Sequence, residues 1–243
     1  PGAAVVWPAG PAGLALLAVG CVVLALAAPL LWARPWLTVV LGLALILSLV
    51  RAPSVPGWPP KDWLVVSCDV GQGDATLLRA GPGAAVVVDT GPDPGPVDRC
   101  LAQLGVTQVP WLVLTHLHAD HAGGVAGVAK GRRVEQLLYS GVETPAGNWR
   151  QVLAALPDVP RLTGTPGTVV AAGAVQLSVL SRRPLLSPGT DDRDSAEEND
   201  SSLVLRAQFP GLRVMVAGDV EPAGQEAALA GAPDLNAQVL LVP

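Results

Sequence analysis

Charge is distributed so unevenly along this chain that one globular core cannot account for all of it. Residues 1–60 carry two charged side chains, Arg34 and Arg51, while all 20 acidic residues and the other 13 of the 15 basic ones lie in 61–243. Residues 11–33, PAGLALLAVGCVVLALAAPLLWA, hold no charge. As a helix they reach about 34 Å at ~1.5 Å per residue, against a hydrocarbon core of ~30 Å. Residues 35–50, PWLTVVLGLALILSLV, are a second uncharged run between the two arginines. The run is short, but flanking arginines can snorkel and Trp36 suits an interface. A signal peptide fits poorly, because no basic region precedes the first run and there is no start Met. A buried helical hairpin is the other reading. The expectation is transmembrane helices over 1–51 that end a longer membrane domain, a Pro-rich linker over 52–62, and a separate domain over 63–243. With one arginine on each side of the second run, orientation is not legible. The chain begins with Pro1 and stops after Val242–Pro243, which reads as a fragment.

The chain as a whole is rich enough in apolar residues to exclude a disordered chain: half of its residues are hydrophobic and 14% are charged. Thirteen basic against 20 acidic residues give 61–243 a net charge of −7. That excludes a broad basic face holding nucleic acid by charge alone, though not a local groove or a metal site that contacts phosphate. Of the three cysteines, Cys21 lies in an apolar run, so at most one pair can form in the rest. No CxxC or zinc-knuckle spacing is present. All three read as small apolar residues.

Short β-branched runs dominate after residue 62: 63–70, 75–80, 84–90, 111–116, 134–140, 175–181, 202–209, 212–220 and 237–243 all suit strands. Helical patterns occupy 96–104, 147–156 and 221–230. The order predicts a layered α/β fold with mixed sheets. Residues 181–202, SRRPLLSPGTDDRDSAEENDSS, form a charge-dense loop, by default a surface excursion and alternatively a lid.

All three histidines fall within six positions of THLHADHAGG, residues 115–124: His116, His118 and His121, with Asp120 between. The segment follows an apolar strand and precedes a glycine pair, which places it on a loop at a strand end where side chains can converge. Neutral imidazole with carboxylate suits zinc, manganese or iron. A second signal is VMVAGDV, 214–220, where Gly218 lets the backbone present Asp219 at a strand end; the alternative is a helix N-cap. A third is DVGQGDA, 69–75, followed by VVVDTGP, 86–92, which generically reads as two hairpin corners.

HLHADH matches the HxHxDH signature, and here the chain resembles the metallo-β-lactamase fold superfamily. The order DVGQGDA, DTG, THLHADHAGG, NDSSLVL (199–205) and GD is similar to the soluble domain of the ComEC competence proteins, membrane channels for DNA uptake. The resemblance implies an αββα sandwich with one or two divalent ions, zinc or manganese, at one edge. It implies His116 and His118 as ligands of one ion, Asp120 and His121 of the second, and Asp219 as the bridge. Asp74 and Asp89 would lie behind the ligands as orienting carboxylates. Asn199, Asp200 and Ser202 stand where many members carry a third histidine, so Asn199 or Asp200 is the expected substitute. Members continue after the strand matching AQVLLVP into a His-His-Gly-Ser segment, so the resemblance implies a site completed beyond Pro243.

The resemblance further implies a nuclease, with Asp120 as the catalytic residue, that degrades one DNA strand while the other is transported. Its partners would be DNA (single strand or duplex), the membrane and other parts of the same channel. It would sit in the plasma membrane as part of a multi-pass protein, with the soluble domain on the extracytoplasmic side. A metal-dependent hydrolase of a small molecule and a non-catalytic scaffolding domain of the channel remain open, since fold and ligands do not choose among them. A serine or cysteine nucleophile is not supported, because there is no GxSxG and no cysteine adjoins a histidine.

Overall fold

The computed structural model describes residues 11–50, 59–184, 196–231 and 234–242. Two compact units divide the chain, Pro1–Trp58 and Pro59–Pro243. In the first, α1 (Pro11–Ala33) and α2 (Pro35–Val50) match the two uncharged runs, with Arg34 between them. Among the described residues no helix is long and apolar enough to cross a membrane, so the structure gives the expected spanning helices over 1–51 no support. The 16 residues of α2 cover about 24 Å of a ~30 Å core, and α1 carries Pro29 in its interior, where a backbone donor is lost. Most of the linker expected over 52–62 lies outside the described residues.

In the second unit an eight-stranded sheet forms from β1 (Val65–Ser67), β2 (Thr76–Gly81), β3 (Ala84–Val88), β4 (Gln108–Val109), β5 (Leu112–Leu114), β6 (Arg133–Val134), β7 (Leu137–Tyr139) and β8 (Arg161–Thr163). Its main path runs β1-β2-β3-β5-β7-β8, with β4 and β6 branching from β3. A five-stranded sheet runs β13-β12-β11-β10-β9, from β9 (Val169–Ala172), β10 (Val175–Ser181), β11 (Val204–Phe209), β12 (Leu212–Val216) and β13 (Val239–Leu241).

The apolar runs are continuous because central strands are covered on both faces. In β3, Ala85 and Val87 enter one core and Val86 and Val88 another. The first core lies under α3 (Pro94–Gln103), α5 (Val125–Ala129) and α6 (Ala146–Ala155), through Val97, Leu101, Val128 and Val152. The second fills the space between the sheets, with Leu78, Val113, Leu177, Leu205 and Phe209. A small third core, Val204, Val220 and Ala228, lies under α8 (Pro222–Gly231). The layers are therefore helix, sheet, sheet, helix, as expected.

The cysteine reading is corrected. Cys68 and Cys100 are joined by a disulfide, because the loop after β1 meets α3 with the two Cα atoms 5.9 Å apart, inside the span a disulfide can bridge. Cys21 is free. Of the charge-dense loop, residues 185–195 lie outside the described residues. The end of that stretch forms α7 (Ala196–Asp200).

Candidate metal centre

Strand ends build the site. β3 and β5 run parallel, so the residues after each, Asp89 and the 115–121 segment, emerge at the same sheet edge. The second sheet joins there: Leu203 N–H donates to the Thr115 carbonyl at 3.0 Å, and Asp219 follows β12 directly after a turn. Gly218 makes that turn at φ +57, where a Cβ would stand 2.8 Å from Ser202 Cβ. The short α4 (Ala119–Ala122) starts at His118 and carries His121 inward.

All three histidines are buried and their rings cluster. The centroid of His116 lies 4.6 Å from that of His118 and 4.2 Å from that of His121. Ligand atoms of His116, His121 and Asp219 all lie within 4.8 Å of one another. His121 Nε2 is 3.2 Å from Asp219 Oδ2 and 4.0 Å from Asp120 Oδ1. Asp120 sits at the rim, with its side chain 31% exposed.

Each ring is held from behind. Asp89, buried and at φ +59, accepts from Thr115 N–H and Thr115 Oγ1–H, both at 2.8 Å. Its Oδ2 also stands 3.1 Å from His121 Nδ1. Thr115 and Ser202 place hydroxyls 3.2 Å from His116 Nδ1. His116 Nε2, facing away from them, is buried and has no hydrogen-bond partner among the described residues. A buried orphan nitrogen is costly unless something fills its lone pair. Lying beside a second imidazole and a carboxylate, it fits a borderline cation such as zinc. His118 Nε2 contacts Glu198 Oε2 at 2.9 Å.

Electrostatics agree with a cation site. Burial, then the neighbouring His121 and His118, hold His116 well below its usual range, so it is neutral and able to ligate. For His121, burial opposes the charged form, but Asp89 and Asp219 outweigh it and push the ring up to about 11. Asp219 is lowered by its hydrogen bond to His121. Asp74 is raised, by burial first and then by Asp89, Asp219 and Asp120. Acidic groups crowded this closely call for a positive charge.

The structure thus brings ligand atoms of His116, His121 and Asp219 together, with the His118 ring beside His116 but its Nε2 turned to Glu198 and Asp120 at the rim. Asp89 orients a histidine, whereas Asp74 enters by charge proximity. Its loop is pinned to Asp120: Asp74 N–H donates to the Asp120 carbonyl at 3.2 Å, and Gly73, at φ +102, leaves no room for a Cβ, which would fall 2.0 Å from that oxygen. The expected substitute ligand Asp200 is elsewhere. Its Oδ1 accepts from Glu221 N–H and Gly224 N–H at the start of α8, and its Oδ2 pairs with Arg183 at 2.9 Å. Asn199 Nδ2 donates to Glu221 Oε1 at 3.1 Å. Sequence reasoning missed Glu198, one position ahead of the segment it singled out, and Thr115, which opens the histidine motif itself.

Known proteins resemble this chain in two ways. Over 142 residues it is 30% identical to ComE operon protein 3 of Bacillus subtilis (strain 168), a match covering 58% of this chain and 18% of that protein. The chain therefore corresponds to less than a fifth of that relative. Among solved structures, a metallo-beta-lactamase of Cronobacter sakazakii (Enterobacter sakazakii) with a HARLDQ motif aligns at 17% identity and TM-score 0.45, over 71% of this chain and 75% of that one. One from Hirschia baltica aligns at 15% identity and TM-score 0.41, over 73% and 83%. Residues 68–240 match the model of the metallo-beta-lactamase superfamily, and the chain belongs to that superfamily.

Proposed function

We propose that this chain is the hydrolase domain of a membrane DNA-uptake protein and cleaves phosphodiester bonds of DNA with one or two divalent ions, zinc or manganese. The observation that carries the metal is the buried, unpartnered His116 Nε2 beside His121 and Asp219. DNA as substrate is supported by the similarity to ComE operon protein 3, whose name ties it to the competence operon. Bound ions would supply Lewis acidity and an activated water at neutral pH.

The chain's own residues have distinct roles in this reading. His116 and His118 would hold one ion and His121 and Asp120 a second, with Asp219 as a further carboxylate ligand. Asp89 keeps a hydrogen bond on His121 Nδ1, which leaves Nε2, on the Asp219 side, as the nitrogen that would bind an ion. Asp120, at the rim, orients the attacking water. The buried histidines exclude bulk solvent from the inner side of the site, while the partly exposed Asp120 and Asp219 mark the side open to substrate.

A membrane setting on the extracytoplasmic side belongs to the same proposal. The described side chains of α1 and α2 include Leu14, Val19, Leu26 and Val39, each at least 60% exposed, and apolar surface of this extent calls for a lipid or protein cover. The Cys68–Cys100 disulfide supports an oxidising compartment.

The test incubates the 243-residue chain in detergent with single-stranded and duplex DNA, with added manganese or zinc, beside an Asp120→Ala variant. Metal-dependent cleavage lost in the variant is expected. Metal binding without DNA cleavage would move the function to a small-molecule substrate such as a lactam or thioester. Absence of both would favour a scaffolding domain of the channel.

A further inference from the structure

We propose that the Cys68–Cys100 disulfide is a brace that positions Asp120, so that the site is completed only in the oxidised chain. This rests on the function proposed above and gives it a redox control. The loop over 69–74 joins β1 to β2 and rests on Asp120. Asp74 N–H donates to the Asp120 carbonyl at 3.2 Å. A Cβ on Gly73 would stand 2.0 Å from that oxygen and 2.7 Å from Asp120 Cβ, so the loop backbone is in direct contact with this residue. The Asp120 carboxylate lies 4.0 Å from His121 Nε2 and makes no hydrogen bond among the described residues. Its place is therefore set by the short α4 and by the loop packed on it.

The base of that loop is otherwise held by a weak strand. β1 has three residues and stands at the edge of its sheet, paired with β2 alone among the described residues, and such strands open readily. Beyond it, Cys68 N–H donates to the Ala75 carbonyl at 2.8 Å. At the other end of the bridge α3 is anchored independently. Asp98 pairs with Arg132 and Lys130, both at 2.8 Å, and Arg132 also donates to the Val106 and Gly127 carbonyls. The bridge thus ties a weak strand end to a fixed helix. The histidines are held by other groups: the His121 carbonyl accepts from Thr90 N–H and Oγ1–H, at 2.7 and 2.9 Å, and hydroxyls of Thr115 and Ser202 flank His116. Cys100 is only partly buried, which leaves the bridge within reach of a small dithiol. On reduction the S–S bond breaks, each sulfur takes one electron and one proton, and the dithiol closes to its own disulfide. Asp120 is then released while the histidines stay in place, which ties DNA cleavage to an oxidising compartment.

The test follows amide hydrogen exchange of the metal-free 243-residue chain before and after reduction with dithiothreitol, and in Cys100→Ser. Thiol labelling reads the state of the bridge: Cys21 alone labels in the oxidised chain, and Cys68 and Cys100 join it after reduction. Exchange should quicken roughly tenfold or more at Asp74 and Gly91, whose N–H groups donate to the Asp120 and Asp74 carbonyls, and stay unchanged at Asp89 and Leu203. With manganese or zinc restored, DNA cleavage by Cys100→Ser should fall about 10–100-fold in kcat with KM little changed, while competition with a chelating dye still finds metal bound. A disulfide that only stabilised the fold would lower Tm and quicken all four amides alike. That result, unchanged exchange at Asp74 and Gly91, or native kcat in a folded Cys100→Ser would each overturn the proposal. If Cys100→Ser fails to fold, the exchange pattern of the reduced native chain decides, and unfolding of that chain as well would overturn the brace. A native chain that cleaves no DNA would overturn the proposed function, whereas the exchange pattern tests the brace without metal or DNA.

Discussion

Asp89→Asn is the sharpest probe of how the site is held, because it changes one atom and leaves the backbone conformation tolerable. Asp89 sits at φ +59, a region that asparagine tolerates better than alanine. Thr115 N–H donates to Asp89 Oδ1 at 2.8 Å, so the asparagine must keep its carbonyl on that side. Its NH2 then replaces Oδ2 and faces Thr115 Oγ1 and His121 Nδ1, at 2.8 and 3.1 Å. The hydroxyl can turn and donate to His116 Nδ1 instead, 3.2 Å away. His121 cannot adapt without cost: Nδ1 must accept, so the proton moves to Nε2, the nitrogen that faces Asp219. Metal can bind only after that tautomer is reversed, and about 10–100-fold in affinity should be lost. Without metal, the charged bond to His121 goes, worth about 1.5–3 kcal/mol. For a unit of this size that lowers Tm by roughly 3–12 °C. Asp89→Ala should cost more, about 3–5 kcal/mol, since it also strands Thr115 N–H and a buried charge. Zinc competition and melting of the metal-free chain read both quantities. An Asp89→Asn chain that is folded and binds zinc as tightly as the native one would refute the tautomer argument.

Two further expectations test other parts of the site. Gly73→Ala meets a backbone oxygen, 2.0 Å from its new Cβ, at φ +102, and should destabilise by about 2–6 kcal/mol from strain and overpacking together. Gly105→Ala, at φ +67 with nothing within 4 Å, isolates the backbone part at about 1–2 kcal/mol, and equal melting losses for the two would contradict the contact with Asp120. In the metal-free chain, His121 is raised from near 6.5 to about 11, so its stabilisation is complete below pH 6.5 and disappears as pH rises through 11, with a slope of at most ~1.4 kcal/mol per pH unit. Asp219, lowered from 3.8, contributes above that value and its share is lost on acidification. A fall in Tm between pH 7 and 10 is therefore expected with chelator present, and its persistence in His121→Gln would assign it to another group.

What was legible in the sequence follows from how local each feature is. β3 and β10 could be read because apolar residues alternate between two cores or between core and solvent. β8, RLT, is exposed at all three positions, and β4 has two residues, so neither leaves a pattern. α4 and α5 have four and five residues, too few to show a helical period. The helices over 11–33 and 35–50 follow from the absence of charge and of breakers strong enough to end them, but absence of charge does not itself specify a membrane crossing. The disulfide depends on a loop after β1 meeting α3 across 32 positions, which cysteine spacing cannot convey.

The site divides along the same line. Four candidate ligands lie within six residues, so the chemistry of the metal centre is written locally. What each ring nitrogen does is not, because tautomers are set by partners from distant elements. Asp89 reaches His121 across 32 positions and Glu198 reaches His118 across 80. In the sequence Glu198 is one acid among several in a charged loop, and it is indistinguishable there from Glu197, which is exposed. Burial separates them: of two adjacent glutamates on a five-residue helix, only one faces the core, and the residue it meets there is a histidine of the motif. A motif scan therefore finds the groups that could touch a metal, while the folded chain determines which lone pair each of them presents.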